Sequence, residues 1–253
     1  MRALPEVRIN TPIDAPPQRW KLVRAVLPKR FQPYLRGARK QLSRGWRRLP
    51  EPYRTVYTHT QAHPVRQENL VRIAGLVEAA GLPGAVVECG VLDGGTAALL
   101  AHATRGSGRP VHLFDAWEGL PRTVPLDGAG SRQWEGQVVG SPRRVAAVIR
   151  ALGVDEARVE YHIGWFSDTF THAAPQIGSA CLVHLDADFY EPTRLALETW
   201  FPRLVRGGYL QLDDYSEFEG CRRATNDFLD AHPRIQLNAY GDGPARAYYF
   251  RKD

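Results

Sequence analysis

LVHLDADFYEPTRLALETWFPRLVRGGYLQLDDY, residues 182–215, holds two apolar runs of strand length with a run of helical length between them. ACLVHLDAD (180–188) and GGYLQLDDY (207–215) each reach carboxylates at their ends. That is how a strand covered on both faces reads when it meets water only at its carboxyl end. Pro192 suits the first turn of a helix through TRLALETWF. Strand, helix and strand of these lengths form a crossover unit with parallel strands.

The same alternation extends outward on both sides. Upstream, Pro64 opens VRQENLVRIAGLVEAAG, whose Leu70, Ile73, Ala74, Leu76 and Val77 form one helical face stopped by Gly81 and Pro83. AVVEC (85–89) reads as a strand, GVLDGG as a turn and TAALLAHAT as a helix; VHLFDA (111–116) and ARVEYHIG (157–164) read as strands and RRVAAVIRALG (143–153) as a helix. Downstream, RRATNDFLDAH reads as a helix, and IQLNAYGDGPARAYYFRKD as two strands around the turn from Gly241 to Pro244. The pattern predicts an α/β fold with a mostly parallel, seven-stranded Rossmann-like sheet, an antiparallel pair at one edge and helices on both faces. Residues 119–142 have no period and are longer than an ordinary connector, which marks a mobile substrate loop or a disordered one.

At 253 residues, 43% hydrophobic and 24% charged, the chain is an ordinary globular protein rather than a disordered or fibrous one. Three cysteines in no metal spacing favour a reducing compartment, and no apolar leader or run of membrane-spanning length is present, so the expectation is a cytoplasmic protein. The net charge of +6 is unevenly placed: residues 1–50 carry 13 Lys or Arg against Glu6 and Asp14, and the rest carries 20 basic against 25 acidic groups. Residues 1–50 therefore read as a basic extension to a domain over 51–253. Phe31, Leu35, Ala38, Leu42 and Trp46 fall at helical spacing, a stripe that suits a lid, a dimer arm or a solvated helix. A basic arm also fits RNA, but acidic strand ends would meet that ligand, so no nucleic-acid partner is expected.

Ligands of an open α/β sheet bind beyond the carboxyl ends of its strands. There the turn Glu88, Cys89, Gly90, then Gly94, Gly95 and Thr96 brings backbone close to a helix N-terminus, without the lysine of a phosphate-gripping loop. Asp115 stands 27 residues later, where a carboxylate holds a ribose diol. The pair suits S-adenosylmethionine, with helix capping as the alternative. Gly164, Trp165 and Phe166 follow the third strand, where they can edge an adenine or pack in the core. Asp186 and the pair Asp213 and Asp214 end adjacent strands. Their mutual repulsion is relieved by a divalent cation, and oxygen ligands without cysteine favour Mg²⁺; a turn or cap is the plainer reading of the pair. Asp188 lies beside them. His59, His63, Trp134, Tyr190 and Tyr215 are weaker candidates for substrate contact, and His184 reads as a core or supporting histidine.

AGLPGAVVECGVLDGGTAALLA, VHLFDAWEGLP, the stretch quoted first and EGCRRATNDFLDAH together resemble the macrocin O-methyltransferase family over residues 60–253. The resemblance implies an S-adenosylmethionine- and Mg²⁺-dependent enzyme that methylates a sugar hydroxyl of a glycosylated natural product. It places Asp186, Asp213 and Asp214 as metal ligands and Asp186 also as the base. Phe189 occupies the position where catechol-methylating relatives carry a lysine, a departure that bears on the base rather than on the metal ligands; a catechol or phenol acceptor, compatible with the same metal geometry and with Trp117, Trp134 and Trp165, is the second expectation. A homodimer or higher homo-oligomer is expected.

Overall fold

The computed structural model describes residues 28, 31–42 and 45–253, so most of the basic extension expected over 1–50 lies outside the described residues. Seven strands form one sheet: β1 (Ala85–Cys89), β2 (Val111–Asp115), β3 (Val159–Ile163), β4 (Ala180–Leu185), β5 (Leu204–Leu212), β6 (Asn238–Tyr240) and β7 (Ala247–Arg251). Their spatial order is β3-β2-β1-β4-β5-β7-β6. The first five are parallel, and β7 runs antiparallel between β5 and β6.

The described helices are α1 (Gln32–Leu42), α2 (Tyr53–Val56), α3 (Pro64–Ala79), α4 (Gly95–Ala103), α5 (Pro142–Ala151), α6 (Phe166–Ile177), α7 (Tyr190–Trp200) and α8 (Glu219–Ala231). Burial on both faces of the sheet explains why its central strands are continuously apolar. Val86, Leu113 and Leu182 pack with Leu70, Ile73, Leu99 and Ile149 on one face. Val87, Phe114, Val183 and Leu210 pack with Phe170, Trp200 and Phe250 on the other. None of the described helices is long and apolar enough to cross a membrane, and Cys89, Cys181 and Cys221 are free and buried.

Three local expectations change. Helix α6 was not visible in the periodicity, because FSDTFTHAAPQI is rich in weak helix formers and carries Pro175; packing of Phe170, Ala173 and Ala174 against the sheet holds it. The loop at 119–142 takes a defined internal shape from its own hydrogen bonds. Leu120 N–H donates to Gln137 O (2.9 Å), Gly136 N–H to Leu120 O (2.8 Å) and Thr123 Oγ1 to Glu135 Oε1 (2.6 Å). Finally, the helix expected over 31–49 is α1 followed by a short 3₁₀ turn at Gly45–Arg48. Its apolar stripe is not its docked face: Phe31 and Leu42 are exposed, whereas Pro33 and Gly37 are buried. Polar contacts hold α1. Arg36 Nη2 donates to Asp93 Oδ2 (2.8 Å) and to Val139 O (2.9 Å), and Lys40 Nζ donates to Thr60 O.

Candidate active site

The chain reverses its direction of sheet growth at β1, which has β2 on one side and β4 on the other. A crevice opens at such a point beyond the strand ends, and here a cleft of about 830 Å³ occupies it. Gly90 makes the close approach possible. Its φ is +88°, and a Cβ there would lie 1.7 Å from the carbonyl oxygen of Asp186. The β1 and β4 ends are stitched by Asp186 N–H to Cys89 O (2.8 Å), and the β1 and β2 ends by Gly90 N–H to Phe114 O (2.9 Å).

One wall carries Gly90, Leu92, Asp115, Gly164, Trp165 and Phe166. Asp115 is pinned by backbone: Oδ2 accepts from Val91 and Leu92 N–H (2.8 and 2.9 Å), and Oδ1 accepts from Trp117 N–H (2.6 Å). Burial raises its pKa against the pull of those amides. Glu88, Cys89, Gly94, Gly95 and Thr96 do not line the cleft. Cys89 packs in the core, and Gly94, Gly95 and Thr96 form the buried start of α4. Glu88 is fully buried, with Oε1 2.8 Å from His184 Nδ1 and Oε2 without a hydrogen-bond partner. The strand expected to aim Glu88 outward ends beyond it, so the carboxylate points into the sheet layer instead.

The opposite wall carries the acidic cluster. Leu185 pairs with Leu212, so Asp186 and Asp213 follow side by side, and Asp213 N–H donates to Leu185 O (2.8 Å). Ligand atoms of Asp186, Asp188 and Asp214 lie within 4.8 Å of one another. Asp188, at φ +57°, is held there by its N–H donating to Asp214 Oδ2 (3.0 Å). Asp213 lines the same cleft but is turned towards Arg66, whose Nη1 donates to Oδ2 (3.1 Å), and towards His184, whose Nε2 is 3.7 Å from Oδ1. The structure thus brings Asp188 into the group in which the sequence placed Asp213.

The electrostatics follow that division. Burial, then the charges of Asp214 and Asp213, pushes Asp186 and Asp188 well above the carboxylate range, and burial with Asp213 raises Asp214 to about 7. Against burial, His184 and Arg66 hold Asp213 below its ordinary value. Against the same burial, Asp213 and Glu88 raise His184 to about 9. His184, read only as a core or supporting residue, therefore lies as a buried cation between the carboxylates of β1 and β5.

Of the weaker candidates, Trp134 and Asp188 line the cleft, and Trp134 meets Phe218 edge to face (6.3 Å). His59, His63, Tyr190 and Tyr215 do not. His59 is half-buried near Arg144 and Lys40, and its partial burial, then those two cations, lowers its pKa to about 4. His63 Nδ1 accepts from Val65 N–H at the start of α3, Tyr190 Oη donates to Asp227, and Tyr215 Oη donates to Asn226. Two lining residues had no local signal. Arg66 is 147 positions from the Asp213 it pairs with. Asp127 ties the loop to α7, accepting from Tyr190 N–H (2.6 Å) and Val124 N–H (2.7 Å).

Comparison with known proteins agrees with this geometry. The family model described as macrocin-O-methyltransferase (TylF) matches residues 21–239. The chain is 33% identical over 178 residues to the 8-demethyl-8-(2,3-dimethoxy-alpha-L-rhamnosyl)-tetracenomycin-C 4'-O-methyltransferase of Streptomyces olivaceus, covering 67% of each chain. It is 30% identical over 194 residues to the mycinamicin III 3''-O-methyltransferase of Micromonospora griseorubida, covering 72% of this chain and 74% of that one. Among solved structures, the O-methyltransferase NovP superposes with a TM-score of 0.67 at 25% identity, over 77% of this chain and 82% of that one. With a sheet, a cofactor wall and an acidic rim that fit this assignment, the chain belongs to the macrocin O-methyltransferase family and is an S-adenosylmethionine-dependent O-methyltransferase acting on a small-molecule hydroxyl.

Proposed function

We propose that the acceptor is a sugar hydroxyl of a glycosylated natural product and that transfer depends on Mg²⁺ held at the acidic rim. The observation that carries this reading is the presence, in one cleft, of the Asp115, Gly164 and Trp165 wall and of three carboxylates within 4.8 Å of one another. Asp186, Asp188, Asp213 and Asp214 are buried or half-buried in one cleft, and among the described residues Asp213 Oδ1 has no hydrogen-bond partner. A hard divalent cation satisfies such a donor set. Asp186 and Asp214 would hold it, with Asp188 or Asp213 completing the protein ligands. When bound, the cation lowers the pKa of a coordinating hydroxyl, and S-adenosylmethionine brings the electrophilic methyl group.

The chain's own residues supply the rest. Asp186 is the base: it lines the cleft at the end of β4, where its second carboxylate oxygen can take the hydroxyl proton. Asp115 accepts ribose hydroxyls with the lone pairs that its three backbone donors leave free, and Trp165 edges the adenine. Leu120, Trp134 and Val138 of the loop cover the acceptor side and exclude water from the reacting atoms. The relatives' names support a sugar acceptor, since one is described as a tetracenomycin 4'-O-methyltransferase and another as a mycinamicin III 3''-O-methyltransferase.

The test is methyl transfer from labelled S-adenosylmethionine to a panel of vicinal-diol glycosides and a catechol, with Mg²⁺ or EDTA. Transfer to the glycosides only with Mg²⁺ is expected. Transfer that persists in EDTA overturns the metal role, and a hundredfold preference for the catechol overturns the sugar acceptor.

A further inference from the structure

A second group of metal-type ligands lies at the β3 edge of the sheet, on side chains that the reaction does not use. His112 on β2 is in register with Glu160 on β3, and Phe114 with His162, so His112, Glu160 and His162 share one face of two adjacent strands. His112 Nδ1 is 3.1 Å from His162 Nε2 and 3.4 Å from Glu160 Oε2, and His162 Nε2 is 3.8 Å from Glu160 Oε1. A tetrahedral ion with bonds near 2.0–2.1 Å separates its ligand atoms by about 3.3 Å, close to the separations of His112 Nδ1 from His162 Nε2 and from Glu160 Oε2. One ligand atom from each residue lies within 4.8 Å of the other two, and an ion would replace the hydrogen bond between the two rings.

The surroundings favour ligation. Burial lowers the pKa of both imidazoles against the pull of Glu160, in the direction that favours the neutral, ligating ring. His162 is held flat on Phe114 (4.2 Å between centroids, 10° between planes), which fixes its ring without using its nitrogens. Glu160 is largely exposed, so an ion can enter from solvent and keep water as a fourth ligand. Two imidazoles and a carboxylate select a borderline cation, whereas the all-oxygen cluster across the sheet suits a hard one.

We propose that His112, Glu160 and His162 form a site for a divalent transition ion of the zinc type, separate from the reaction cleft. Its consequence is mechanical. β3 is the edge strand and leads directly into Gly164, Trp165 and Phe166, so an ion at this site ties the root of the cofactor wall to β2. The pairing of β3 then no longer depends only on its ladder to one neighbour.

The experiment uses the full-length, tag-free, metal-stripped chain, with Mg²⁺ in excess to occupy the acidic rim. Titration with Co²⁺ is followed by visible absorption, and thermal unfolding is measured with and without Zn²⁺. One equivalent of Co²⁺ should give ligand-field bands of a low-coordinate nitrogen site, displaced by Zn²⁺, and Zn²⁺ should raise the melting temperature. Asp214→Asn should retain the bands. Glu160→Ala, a change at an exposed side chain that leaves the fold intact, should weaken Co²⁺ binding at least tenfold, and a folded His112→Asn/His162→Asn variant should lose it. Absence of bands in the wild-type chain at large Co²⁺ excess, unchanged affinity in Glu160→Ala, or loss of the bands in Asp214→Asn overturns the proposal.

Discussion

Replacing Arg66 by methionine removes the guanidinium that donates to Asp213 at the acidic rim while keeping most of the side-chain volume. Arg66 and Asp213 are 2% and 5% exposed, and Arg66 also donates to Ser216 and Glu217. Removing one partner of a buried pair leaves an uncompensated charge and costs about 3–5 kcal/mol. In a chain of this size that is a fall of melting temperature on the order of 10 °C. The carboxylate left behind adjoins three others, so the upper part of that range is expected. The pH dependence has a definite sign. Asp213 is held below its ordinary 3.8, so the stability it contributes is present above that value and is lost as pH falls through the depressed pKa. Arg66→Met should therefore be most damaging near neutrality and less so in acid. Denaturant unfolding of both proteins across pH, followed by far-ultraviolet circular dichroism, measures this. A loss below about 1 kcal/mol at neutral pH would refute the reasoning, because the pair would then be worth no more than an exposed one.

Gly90→Ala should cost on the order of 3 kcal/mol and abolish methyl transfer, since its Cβ would meet the Asp186 carbonyl oxygen at 1.7 Å at a φ of +88°; unfolding curves and the transfer assay report both. Arg36→Ala should loosen α1 by about 1–3 kcal/mol, because fully buried Asp93 would keep only Arg144, 3.4 Å away. Faster tryptic cleavage within residues 36–40 is the readout, and an unchanged rate would show that apolar contacts hold the helix. Asp214, raised to about 7, opposes folding as pH rises from 3.8 through about 7 in the metal-free chain. Mg²⁺ should therefore raise the melting temperature more at about pH 8 than at about pH 5, and less in Asp214→Asn.

The sheet was legible because its signal is local. Each central strand is a short apolar run ending on a turn or carboxylate, and alternation with helical runs leaves one parallel architecture that buries both faces. The carboxyl-end rule places Asp115, Asp186, Asp213 and Asp214 at one rim from the sequence alone. α6 escaped because its helicity comes from packing of Phe170 and Ala174 rather than from propensity. The docked face of α1 escaped because hydrophobic spacing marks Phe31 and Leu42, whereas the ion pair of Arg36 with Asp93 and the hydrogen bond of Lys40 to Thr60 O chose the other face. Residue order along the chain thus determined the strands, their direction and the acidic rim, since these depend on patterns a few residues long. Only the tertiary structure decided that Glu88 turns inward to His184, that Arg66 takes Asp213, and that Asp188 joins Asp186 and Asp214. Side-chain direction at a rim is set by which buried charges can neutralise one another, and those partners come from segments far apart in the sequence.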